Sequence, residues 1–206
     1  MGTRSSTGFI LQEKYKGVYN QFDGYPEGVG KDIVNTLNDI LEPSKDGFQE
    51  RLNLLKERMS TVQLASDDTP PTEEEQRRYQ DAGYCNLGVS NQSPSDWYCL
   101  LRNLQGAAWI REVYKGSLGH ILDGSDFPKD SLFCEYVYAI NFDTGMLEIY
   151  KRFQQSPQEG NIFGKEMDKS GYYPCAKIIE FPLDDIPNDW MERIKKAMNE
   201  EEEEEA

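Results

Sequence analysis

Between Leu132 and Phe153 the chain carries its clearest β signal. Leu132 to Phe142 is rich in β-branched and aromatic residues, Asp143-Thr144-Gly145 supplies a turn, and Met146 to Phe153 returns. Glycine at the third position suits a three-residue hairpin loop with a bulge. A second hairpin opens the chain. Within residues 4–13, Thr7, Phe9 and Leu11 share one face, Lys14 to Gly17 turns, and Val18 to Phe22 returns. Cys175 to Phe181 reads as one more strand. Hairpins join antiparallel neighbours. The expected fold class is therefore α+β: an antiparallel sheet of the N-terminal hairpin, the 132–153 hairpin and the later strand, covered by helices on one side.

The helices are marked by apolar stripes and stop signals. Ile33, Val34, Leu37, Ile40 and Leu41 fall on one helical face, and Pro43 ends it. Asp46 is placed to cap a helix carrying Phe48, Leu52, Leu55 and Met59. A loop over 60–71 ends in Pro70-Pro71, and Thr72 with Glu75 then fits a capping box. That helix stops near Gly83, and 84–94 reads as loop. Ser95 is placed to cap a helix with Trp97, Leu100, Leu101 and Leu104 inward. Residues 107–122 are ambiguous, with helical spacing at Trp109, Ile110, Val113 and Tyr114. A long loop is expected over 154–173, and Pro187 opens a last helix with Trp190, Ile194 and Ala197 inward.

Composition bounds the function classes. The 206 residues are 37% hydrophobic and 12% aromatic, enough for a core rather than disorder. A net charge of −15 argues against nucleic acid, whose phosphates need clustered Lys and Arg. No apolar run approaches the roughly 18 residues of a membrane span, and no secretion signal is evident. Gly2 and Ser6 match the short N-myristoylation pattern, but the alternation behind them reads as a strand. Cys85, Cys99, Cys134 and Cys175 lie far apart without a Cys-x-x-Cys, so free thiols, no metal, no cofactor and a cytoplasmic location are expected. Residues 1–199 read as one domain. Glu200 to Glu205 form an acidic run that repels itself, so 200–206 reads as a disordered tail, with the last helix fraying near Asn199.

One segment stands out as a place for function. Asp23 to Gly30 holds three glycines and Pro26, and it leads from a strand into a helix, where phosphate loops occur. The Walker A likeness fails: five residues separate Gly24 from Gly30, Asp32 replaces the metal-binding Ser or Thr, and Asp23, Glu27 and Asp32 repel an anion. A tight Tyr25-Pro26 turn, with a cis bond as one option, is the structural alternative. A hydrolase with an N-terminal nucleophile is a second reading, but Gly2 has no side chain and Thr3 lies one position late. His120 among apolar neighbours reads as structural, with a general base as the alternative.

Met1 to Arg4, followed by Tyr19-Asn20-Gln21-Phe22-Asp23-Gly24-Tyr25-Pro26-Glu27-Gly28-Val29-Gly30, resembles a group of uncharacterised bacterial, phage and fungal proteins that begin "MGTR" and carry "YNxFDxYPxGxG". Ser131 to Thr144 resembles their later "EYxYxIDxDT" strand, with Asn141 in place of an Asp. The resemblance implies a shared fold and transfers no activity. The candidate binding residues are Arg4, Asn20, Asp23, Tyr25 and Glu27. A hairpin turning at 14–17 would set Arg4 near Asn20 and Asp23. The expectation is a non-catalytic binding or interaction protein, with an unknown protein or small molecule as partner. A hydrolase-like enzyme at the 20–30 loop is the alternative.

Overall fold

The computed structural model describes residues 2–88 and 93–204. The expected loop at 84–94 and the acidic tail at 200–206 therefore lie partly outside the described residues. Strands β1 (Ser5–Leu11), β2 (Lys14–Asn20), β5 (Tyr136–Asn141), β6 (Met146–Lys151) and β7 (Ala176–Pro182) form one sheet, in the order β2-β1-β5-β6-β7. Both expected hairpins are present and share this sheet, which is mostly antiparallel. One pairing departs from expectation. β1 and β5 are parallel, with Ser5 opposite Tyr136, because the two hairpins meet side by side across a long helical connection.

The first hairpin turns earlier than its sequence suggests. Leu11 pairs with Lys14 and Ser5 with Asn20, so the loop is only Gln12-Glu13, both left-handed at φ 54° and 57°. Such a loop matches strand twist but favours Asn or Gly. Here Asp143 holds it, accepting the Gln12 N–H at 3.0 Å and the Glu13 N–H at 2.9 Å.

Helices α1 (Lys31–Leu41), α2 (Phe48–Thr61), α3 (Glu73–Asp81), α4 (Trp97–Leu100), α5 (Ala108–Lys115) and α6 (Trp190–Glu204) follow the apolar stripes. The capping box at α3 forms as expected: Thr72 Oγ1 accepts the Glu75 N–H at 3.2 Å, and Glu75 Oε2 accepts the Thr72 N–H at 2.9 Å. Two other caps differ. Left-handed Gly47 precedes α2 instead of an Asp46 side-chain cap. Asp96, one residue past Ser95, caps α4 by accepting the Tyr98 N–H at 2.7 Å. The ambiguous stretch resolves into α5 and β4 (His120–Leu122), which pairs in parallel with β3 (Gln63–Ala65). The α6 backbone continues past Asn199 to Glu204.

Side chains alternate across the sheet. Phe9, Tyr138, Ile140, Leu147 and Ile149 join the helices in the main core. On the opposite face Ile10, Val137, Ala139 and Tyr150 meet Phe163 and Cys175, so the long segment after β6 covers a second, smaller core. Glu148, 3% exposed, is tolerated beside it because Asn141, Tyr150 and Lys177 all hydrogen-bond its carboxylate. All four cysteines are free.

Candidate functional site

The end of β2 carries the chain over the sheet edge into the 21–30 loop, and several ties fix that loop. The Gly24 N–H donates to the Thr3 carbonyl at 2.9 Å, and the buried Tyr138 hydroxyl donates to the Gly24 carbonyl at 3.0 Å. Val29 N–H donates to the Asp23 carbonyl at 2.8 Å. The close packing explains the glycines. A Cβ at Gly28 would sit 2.2 Å from the Asp23 carbonyl oxygen, and one at Gly24 would sit 2.7 Å from Ser5 Cβ. Pro26–Gly30 then forms one π-helical turn leading into α1. No peptide bond among the described residues is cis, so the Tyr25-Pro26 turn is made with a trans bond.

Opposite the loop, Thr7 on β1 anchors the entry to α5. Its hydroxyl donates to the Gly106 carbonyl at 2.7 Å and accepts the buried Trp109 indole N–H at 2.9 Å. Between this anchor, the loop and the first turns of α1 lies an open cleft of about 550 Å³. Its acceptors and amides come from Asn20, Asp23, Asp32, Asn35 and Gln105, and Arg111 stands at its α5 side. Phe22 and Tyr25 also line it, 57% and 38% exposed.

Of the candidate residues, the structure brings Asn20, Asp23 and Tyr25 together in the cleft and leaves Arg4 and Glu27 out. The Tyr25 hydroxyl donates to Asp23 Oδ1 at 3.3 Å, and the negative charge of Asp23 raises the phenol's pKa. Asn20 Nδ2 donates to Ser5 Oγ at 3.2 Å, which places it on the Ser5 side of the sheet. Arg4, one residue from Ser5, points to the other side. Its guanidinium stacks 4.7 Å from the Phe133 ring centre, and its backbone N–H donates to Glu135. Among the described residues the expected Arg4–Asp23 pairing is therefore absent, because alternation along the first strand turns Arg4 to the face opposite Ser5 and Asn20. Glu27 faces α6, where Lys195 Nζ lies 2.6 Å from Oε1 and this hydrogen bond lowers its carboxyl pKa.

Asn35, Gln105 and Arg111 are not among the candidate residues, and Asp32 enters the sequence reading only as a misfit to a phosphate loop. A signal exists for two of them: the apolar stripe of α1 leaves Asp32 and Asn35 on the flanking polar face. Arg111 is already engaged, donating to Asp39 at 3.0 Å and to Thr36 at 3.4 Å, so it links α5 to α1 more than it offers a free charge. Neither His, Cys nor Ser is among the cleft's lining residues. His120 lies elsewhere, on β4, its Nδ1 3.1 Å from Glu75 Oε1 and its ring 4.6 Å from that of Trp97. This proximity is an ion pair only when the imidazole is protonated, since Nδ1 otherwise has no aligned hydrogen bond.

No family model, curated protein or solved structure matches the chain. Among the described residues no helix is long and apolar enough to cross a membrane.

Proposed function

We propose that this chain is a non-catalytic binding protein, and that the cleft between the 20–30 loop and α5 takes a small, uncharged, hydroxyl-rich molecule. The observation that carries this reading is the cleft's make-up. Carboxylates and side-chain amides accept and donate to hydroxyl groups, and two exposed aromatic faces, Phe22 and Tyr25, offer stacking surface. Asp23 and Asp32 disfavour an anion, and Arg111, the cation among the described residues lining the cleft, is paired with Asp39 at the surface. The volume of about 550 Å³ falls within the ~300–1,000 Å³ range of small-molecule sites. Among the described residues that line the cleft no Ser or Cys stands beside a base, so the hydrolase alternative would have to rest on Asp23, Asp32 or Thr36.

Calorimetric titration with neutral mono- and disaccharides, and with nucleotides as the anionic control, tests the proposal. Saturable binding of a neutral sugar is expected, weakened about tenfold by Asp32→Asn, as loss of a hydrogen bond to a charged group predicts. Tighter binding of the anions would refute the ligand class. Turnover of an ester, amide or glycoside that Asp32→Asn abolishes would instead establish the hydrolase.

A further inference from the structure

The geometry points to a second binding site, next to the cleft and sharing Gln105 with it: a cavity of about 280 Å³, walled by Tyr19, Trp97 and Tyr98 and rimmed by Asp67, Asp96 and Asp123, that takes a small organic ammonium group. Aromatic faces carry negative potential and attract cations, and quaternary ammonium groups are recognised by such aromatic walls. Three aromatics from two distant parts of the chain meet here. Tyr19 comes from β2, and Trp97 and Tyr98 from α4, while Leu122 and Ala65, paired across β3 and β4, give an apolar base.

The walls are held in place. The Trp97 indole N–H donates to the Thr69 carbonyl at 2.8 Å, and its ring lies 4.6 Å from the His120 ring. The Tyr19 ring meets Phe127 edge-on at 4.9 Å. The Tyr98 ring already carries one cation, the Arg102 guanidinium 4.8 Å from its centre, so attraction of the ligand falls chiefly to Tyr19, Trp97 and the three aspartates.

The carboxylates set the sign of the ligand. Asp96 Oδ1 caps α4, and Asp123 Oδ1 accepts the Ser125 N–H at 3.0 Å. Among the described residues Asp67 has no side-chain hydrogen bond or ion pair. The three are not drawn into a group that could hold a metal ion. Spread around aromatic walls, they suit a diffuse organic cation better than a compact metal ion, whose carboxylate ligands must converge. At just under the ~300 Å³ where ligand pockets begin, the cavity admits a headgroup rather than a large molecule.

The test is a nuclear magnetic resonance titration of the full chain with choline and with 3,3-dimethylbutan-1-ol, which has the same shape with carbon in place of nitrogen. Choline is expected to shift the Trp97 indole N–H resonance saturably, and the neutral isostere to shift it far less. Asp67→Asn and Asp123→Asn should each weaken choline about two- to fivefold, as expected for exposed carboxylate–cation pairs. Asp67→Asn removes no internal hydrogen bond, so loss of fold cannot account for its effect. Equal binding of the isostere, or a Trp97 resonance unmoved by choline across the millimolar range, would overturn the assignment.

Discussion

Thr7 illustrates how one buried polar residue sets the cleft. Its hydroxyl joins β1 to the Gly106 carbonyl and to the Trp109 indole, and both partners are buried. Thr7→Val keeps the shape and β propensity but strands an indole N–H and a carbonyl away from water. A loss of about 1–3 kcal/mol in unfolding free energy is expected, read from the shift in urea midpoint at constant slope. An unchanged midpoint would mean that neither group depends on Thr7. The alternation of strand one marks Thr7 as inward-facing, but nothing in the sequence reveals Trp109 as its partner, because that contact spans 102 positions. Arg4 shows the converse. Its type and its nearness to Asn20 suggest a site, yet period-two alternation sends the two side chains to opposite faces.

At the scale of elements, what could be read from sequence is whatever its own residues encode. The α3 capping box, the α1 stripe and the β5–β6 hairpin all follow from local pattern. The first hairpin's turn does not. Gln12-Glu13 lacks turn chemistry, and its support comes from Asp143, 131 positions away from Gln12. The three-residue strands β3 and β4 are too short for any periodicity to mark, and α5, which forms one cleft wall, lay in the ambiguous stretch. The Asp143 contact carries a pH signature. The Glu13 N–H, then the Gln12 N–H, hold its carboxyl below the usual 3.8. Because the folded value is depressed, its contribution is present above the unfolded pKa of about 3.9 and fades as pH falls through the lower folded value. Asp143→Ala is expected to cost about 0.5 kcal/mol at neutral pH, small because the carboxylate is exposed and screened, and less as pH falls below the unfolded value. Thermal melts at neutral pH and below the unfolded value check this, and a cost independent of pH would contradict it.

Across the whole molecule the sheet separates two roles. Helices fill one face with the main core, and the cleft opens where β2, α1 and α5 meet at its edge. The opposite face is closed by the segment after β6. The acidic balance of −15 extends to both cavities: aspartates line each of them, and Arg111 is the basic residue among those lining the larger. The central claim is that the 20–30 loop and α5 form a ligand cleft that performs no chemistry. It is tested most directly by mapping backbone amide shifts during titration with the neutral sugar that calorimetry selects. The account predicts saturable shifts clustered at Gly24–Gly30 and Gly106–Arg111, with the sugar's own signals unchanged over days. Shifts confined to other surfaces, or product signals growing with time, would contradict it.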